Sequence, residues 1–325
     1  MDKIAATFSD YDINNILNKD FDGILLQHSV HIELNDNLIS LTIMQIELSK
    51  YKIENIFDGL MSLFFIALGR HLTLISYSKN DNNVDINRFT DQINTSINYQ
   101  KRYFKFCDIN NNLLTESNLK KIIDFKLKNA SLNSLEYLIC KNYNSVLWEH
   151  KFVLLLHVLD GVTEHFNLNS NTLKKEFKCD FAKDLSDNNQ PGEYICKLNY
   201  IFSKYYFKYD IISSKTIKLL KRKNKYSFLQ GIEQSRNWYS HLPDKNKCSS
   251  RIDTTNTDNL AILFIIICVA RLLLLENYLN IQPDDKCVKE SFACIHDWIL
   301  DTSEKKYKFE NLLSDTYKLY FALKS

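Results

Sequence analysis

At 325 residues and 38.3 kDa the chain exceeds the usual length of a single hydrophobic core, so two domains are the default expectation. With 45% hydrophobic, 13% aromatic and 25% charged residues it can bury enough apolar surface to offset chain entropy, which excludes disorder, and six glycines and three prolines argue for long helices and against barrels, sandwiches and glycine-rich phosphate loops. A formal net charge of +2 excludes a strongly basic nucleic-acid binder, so any RNA site must be local.

From residue 23 to 50 short apolar alternation predicts strands: Ser29 to Leu34 and Leu38 to Ile43, separated by Asn35-Asp36-Asn37, read as a β-hairpin. Ile53 to Leu68 carries a helix-length apolar pattern that stops at Gly69. Strands are expected again at His71 to Ser78 and around Tyr103 to Cys107, with Lys79 to Asp85 as a turn. The polar stretch Lys126 to Asn133 marks a domain boundary near residue 129. Beyond it the periodicity is helical: Val146 to Phe166, Tyr194 to Phe207, Ile211 to Leu220, Ser227 to Leu242, Asp258 to Asn280, Phe292 to Leu300 and Phe309 to Leu323. The expected fold class is α+β, a mixed, β-rich N-terminal domain (1–128) followed by an all-α bundle (129–325).

Compartment and anchoring follow from a few features. The start, Met1 to Ala6 followed by polar residues, has no apolar signal core. Eight cysteines without a CxxC pair imply buried thiols of a reducing cytoplasm and neither zinc nor disulfides. The most apolar run, Leu260 to Leu275, holds Arg271 and reads as the central helix of a soluble bundle, not as a membrane span.

The segment that carries chemistry is Glu233-Gln234-Ser235-Arg236-Asn237-Trp238-Tyr239-Ser240-His241-Leu242-Pro243. Pro243 disfavours helical geometry at Leu242, so the helix should stop there with His241 in its last turn, where the partial negative charge of the helix end favours a protonated imidazole. Metal-free RNA cleavage needs a base for the ribose 2′-OH, an acid for the leaving 5′-oxygen and a cation for the phosphorane charge. Histidine serves either proton role, and the arginine fork matches phosphate oxygens. His241 and Arg236 fit these parts, and Asn237 can orient either one. Five residues apart on a helix, Arg236 and His241 are separated by roughly 140° and about 7.5 Å. They meet at one phosphate if the helix unwinds near His241 or, the favoured arrangement, if two copies face each other in a homodimer.

Arg236-Asn237-Trp238-Tyr239-Ser240-His241, followed by polar residues to Thr257 and the long apolar run from Leu260 to Leu279, resembles the HEPN superfamily, and within it the ApeA-like HEPN domains of abortive infection. The resemblance covers about residues 145 to 280. It implies that the RNxxxH motif closes the third helix of a bundle, that the protein is a metal-independent endoribonuclease acting as an anti-phage toxin, and that the β-containing N-terminal half senses a phage-derived trigger. An upstream acid that orients the arginine is similar to Asp160, with Glu164 as the alternative. Pro243 stands where nucleotidyltransferase-paired HEPN toxins carry a tyrosine, so that mode of inactivation is not implied. The competing readings are a catalytically silent HEPN module that binds nucleic acid or a partner, and an unrelated helical scaffold.

The densest basic run, Lys215 to Lys225, places Lys221, Arg222, Lys223 and Lys225 just upstream of the motif helix, where they are candidate RNA-phosphate contacts or else a solvated helix end. Tyr239 is the better of the two motif aromatics for stacking on a base, and Arg251 and Asp253 follow in the next loop. Histidine spacing supports no metal site, and no cofactor is expected.

Overall fold

The computed structural model describes residues 2–9, 21–25, 28–35, 38–46, 53–69, 73–79, 82–83, 105–107, 113–128, 148–164, 170–184, 191–241, 248–252 and 258–303. The chain divides into two compact units. One comprises residues 1–145, 274–288 and 309–325, and the other comprises 146–273 and 289–308.

In the first unit the described packing centres on two helices, α1 (Ile53–Leu68) and α2 (Glu116–Lys128). Helix α1 is buried from Leu60 through Leu68. It can approach α2 closely because Gly59 has no side chain: a Cβ there would sit 2.8 Å from Leu119 Cδ1 and 2.9 Å from Ile123 Cγ1. Lys126, buried on α2, is tied to Asp58 Oδ2 at 2.6 Å and Ser62 Oγ at 2.8 Å, so its ammonium is paired as a buried charge must be. Gly69 ends α1 with φ 78° while its N–H donates to Phe65 O, a left-handed stop that favours glycine.

Extended backbone in the same unit pairs antiparallel as β1 (Asp2–Ser9), β2 (Phe21–Leu25), β3 (His28–Asn35), β4 (Leu38–Ile46), β5 (Thr73–Lys79) and β6 (Asn82–Asn83), in the order β2-β3-β4-β1-β5-β6. Those segments are defined by backbone pairing alone. Across the part of the chain whose packing is described, helix accounts for 79% of residues. This corrects the expected α+β fold class with its β-rich N-terminal domain, because the structure supports an all-helical region. The reason is physical: alternation in short runs marks extended backbone that pairs antiparallel, but it does not by itself make a β core, and among the residues whose burial is described the packed apolar mass of this unit includes α1 and α2. Residues 105–107, expected as a strand, are irregular backbone.

The second unit is helical. Its elements are α3 (Trp148–Glu164), α4 (Ser170–Asp180), α5 (Glu193–Phe202, continuing as a π-helical turn through Phe207), α6 (Asp210–Leu219) and α7 (Lys225–His241). They are followed by α8 (Asp258–Leu273) and by α9 (Asp285–Ser303) from residue 289 on; the π-helical turn that continues α8 through Tyr278 and the first residues of α9 are counted with the first unit. Helices α3, α5, α7 and α8 pack on one another as a bundle in which α7 comes third. From Ala261 to Leu275 every residue of α8 and the turn after it is buried, as befits a helix apolar on all sides. This stretch lies in Ala261–Tyr278, the one helix among the described residues long and apolar enough to cross a membrane. It is 83% buried inside the protein, which is compatible with the core helix of a soluble protein. Phe202, Tyr206, Phe207, Phe228 and Phe292 interlock around the α5 π-turn with ring centroids 4.9 to 6.2 Å apart.

Candidate active site

Helix α7 starts where its sequence provides a cap. Asn224 Oδ1 accepts the Ser227 N–H at 2.9 Å while Ser227 Oγ accepts the Asn224 N–H at 3.0 Å, a reciprocal box that satisfies two otherwise orphaned donors. One side of α7 is bolted to the segment 248–252. Gln234 Oε1 accepts the Ser250 N–H at 2.7 Å, buried Ser235 Oγ accepts the Ile252 N–H at 2.6 Å, and the Tyr239 hydroxyl donates to Ile252 O at 3.2 Å. Gly231 makes room for this approach, since a Cβ would stand 3.1 Å from Arg222 Cζ and 3.2 Å from Ser250 O.

Arg236 lies on a different face, toward α3 and α5. Its Nη2 is 3.8 Å from Asp160 Oδ2 on α3, and its guanidinium lies over the Tyr194 ring of α5 at 4.2 Å. Lys197, three residues after Tyr194, reaches Asp160 Oδ1 at 3.6 Å and Glu193 at 3.5 Å. One carboxylate is thus shared by two cations, all three side chains being only 20 to 24% exposed. Glu233, one turn before Arg236, completes the group. Burial holds its carboxyl above the usual range, and the Arg236 charge opposes that. Burial also pushes the Tyr194 phenol well up against the lowering effect of Arg236, so the hydroxyl stays protonated. Asp160 Oδ1, Tyr194 OH and Arg236 Nε are shut off from solvent without a hydrogen-bond partner among the described residues, an unusual concentration of unmet polar capacity.

His241 is the exposed last residue of α7, which remains a regular α-helix through the motif. The helix therefore does not unwind to bring His241 beside Arg236, and in one copy the two point about 140° apart. Asn237 is half-buried between them on the helix. The side chain of Glu164, and all of Pro243 and Asp253, lie outside the described residues.

The basic run is split by the fold. Arg222 turns inward, donating from Nη1 to Ser250 O at 2.8 Å and from Nη2 to Arg251 O at 3.4 Å, and burial lowers its pKa. Lys225 pairs with Asp210 at 2.8 Å and sits over the Phe207 ring. Lys221, in left-handed backbone at φ 57°, and Lys223 are exposed. Tyr239 is anchored through its hydroxyl to Ile252, and Trp238 lies under the Arg251 guanidinium at 4.5 Å. Among the described residues no cluster of His, Cys, Asp and Glu could hold a metal ion.

Against family models, curated proteins and solved structures, the chain has no match. The site therefore rests on its own geometry. Tyr194, Lys197 and Glu233 were given no role in the site by the sequence. Glu233 was findable, because three residues before Arg236 is the same helix face. Tyr194 and Lys197 share a face of α5, but their meeting with Arg236 is a tertiary contact that helical spacing does not encode.

Proposed function

We propose that the chain is a HEPN-type, metal-independent endoribonuclease that works as a homodimer. The observation that carries this reading is the environment of Arg236. In the third helix of a packed bundle, the arginine of an RNxxxH hexapeptide is braced by a carboxylate from the first helix and by an aromatic ring, while the histidine of the same hexapeptide ends the helix exposed. The brace fixes a long side chain before substrate arrives, which is how an arginine contributes to a transition state without a further ordering cost.

The chemistry is intramolecular transesterification. The 2′-oxygen forms a bond to the adjacent phosphorus as it loses its proton, and the bond to the 5′-oxygen breaks as that oxygen gains one. The products end in a 2′,3′-cyclic phosphate and a 5′-hydroxyl. His241 moves a proton, Arg236 stabilises the extra charge on the phosphoryl oxygens, Asn237 orients the partners and Asp160 positions the arginine. Because α7 is regular, Arg236 of one copy and His241 of the other are the pair that can reach one linkage, which is what favours the dimer. Cys179, Cys196, Cys248 and Cys268 stand as thiols, with Cys196 pushed by burial to about 11 and Cys268 to about 12, which supports a reducing, cytoplasmic setting. In this reading RNA cleavage halts growth in anti-phage defence, with the N-terminal part sensing the trigger.

The test is cleavage of cellular RNA in EDTA by wild type, Arg236→Ala and His241→Ala. Cyclic phosphate ends from wild type, lost in both variants with helicity intact, support the enzyme. Binding of RNA without cleavage by any form points to a silent HEPN module.

A further inference from the structure

Trp238 and Arg251 form a stacked pair beside the motif, outside the group that braces Arg236. The Arg251 Cζ lies 4.5 Å from the Trp238 ring centroid. Trp238 precedes His241 by three residues, so the two are neighbours on α7, about 60° apart around the axis and about 4.5 Å along it. The guanidinium thus rides next to the turn that ends in His241.

The placement of the 248–252 segment does not need this side chain. Backbone N–H groups of Ser250 and Ile252 are held by Gln234 and Ser235, and the carbonyls of Ser250 and Ile252 accept from Arg222 and Tyr239. The Arg251 side chain makes one long hydrogen bond among the described residues, from Nη1 to Cys248 O at 3.4 Å. A guanidinium carries five N–H donors, so most of its capacity is uncommitted among the described residues. No carboxylate there pairs with it, in contrast to Arg236 with Asp160 and Lys225 with Asp210. A half-exposed guanidinium with no carboxylate partner among the described residues, flattened on an indole and set on a segment held by four hydrogen bonds, is preorganised for a bidentate acceptor.

We propose that Arg251, held flat by Trp238, is a substrate-binding residue that takes a backbone phosphate of single-stranded RNA next to the linkage presented to His241. The inference rests on the nuclease reading and names a contact that the RNxxxH hexapeptide does not contain. Arg251 provides the neighbouring register, and Trp238 makes its fork a fixed feature instead of a floating charge.

The experiment measures affinity of full-length His241→Ala protein for a single-stranded RNA oligonucleotide across a salt series, with Arg251→Ala and Arg251→Lys added to that background. Arg251→Ala should bind roughly tenfold or more weakly at low salt and flatten the slope of log affinity against log salt by about 0.7, the loss of one phosphate contact on a single strand. Arg251→Lys keeps the charge and loses the planar stack, so it should retain the slope and still weaken binding. Should Arg251→Ala fail to fold, the weakened binding of Arg251→Lys decides. Unchanged affinity and slope in the folded variants, with the parent binding RNA, would overturn the Arg251 contact and leave the nuclease reading standing. A parent that binds no RNA would sink both.

Discussion

Replacing Asp160 by asparagine keeps the shape of the site and removes one negative charge from between two cations. Arg236 Nη2 and Lys197 Nζ lie 3.8 and 3.6 Å from its carboxylate oxygens, with side chains 24%, 20% and 24% exposed for Arg236, Lys197 and Asp160. At such distances one unit pair is worth about 4 kcal/mol at an effective dielectric of 20. Desolvation opposes much of that, and neither pair reaches hydrogen-bond length. The net cost should fall between the ~1 kcal/mol ceiling of exposed pairs and the ~3–5 kcal/mol of breaking a buried pair, so about 2 kcal/mol. In a unit of this size that lowers the thermal midpoint by about 4–8 °C. Thermal unfolding followed by circular dichroism reads the shift, and Asp160→Asn combined with Lys197→Met should recover part of it, because the uncompensated ammonium is then gone. A midpoint within about 1 °C of wild type in Asp160→Asn would show that the carboxylate does not restrain Arg236, and the brace would have to be abandoned.

Two further outcomes follow from the same region. Ser235→Ala should cost about 1–3 kcal/mol, because the buried Ile252 N–H loses its acceptor. Denaturant unfolding checks this, and an equally stable variant would mean that the 248–252 segment is not clamped to α7. Glu233 gives a pH signature: its folded pKa is raised by burial, so its contribution to stability is fully present below the unfolded value and lost as pH rises through the folded one. Glu233→Gln should therefore match or exceed wild type in stability at pH 7, with the difference shrinking toward pH 4. A Glu233→Gln protein less stable than wild type at pH 7 but not at pH 4 reverses the sign and contradicts the assignment of desolvation as the dominant effect.

What the sequence showed most clearly was the set of long helices. Apolar positions at helical spacing marked α7 within two residues at its start and one at its end, because burial of one face forces that period, while apolar runs of helix length marked α1 at its observed bounds and α8 from Asp258 onward. Helix α4 was not anticipated: Ser170 to Asp180 buries only Leu173 and Phe177, too few to produce a visible stripe. The π-helical turns at Ser203–Phe207 and Leu274–Tyr278 were also hidden, since one extra residue in a turn leaves the apolar composition unchanged. The β-rich domain went beyond what alternation in short runs can fix, because alternation marks paired extended backbone and not a packed β core. In the candidate site, the motif residues could be named from their chemical types, and the upstream acid from a resemblance. The inward turn of Arg222 could not be seen, because a basic run looks the same whether its arginine faces water or caps the carbonyls of a distant loop.

The central claim is that a nuclease site is assembled from Arg236 of one copy and His241 of another, and mixing two dead proteins tests it most directly. Arg236→Ala and His241→Ala, each without activity in EDTA, should regain cleavage when refolded together, to about a quarter of wild type, since half the dimers are mixed and each carries one intact site. Fragments ending in 2′,3′-cyclic phosphate from the mixture and from neither variant alone are the predicted result. Cleavage that survives in either single variant, or a mixture as silent as its components beside an active wild type, would contradict the shared site.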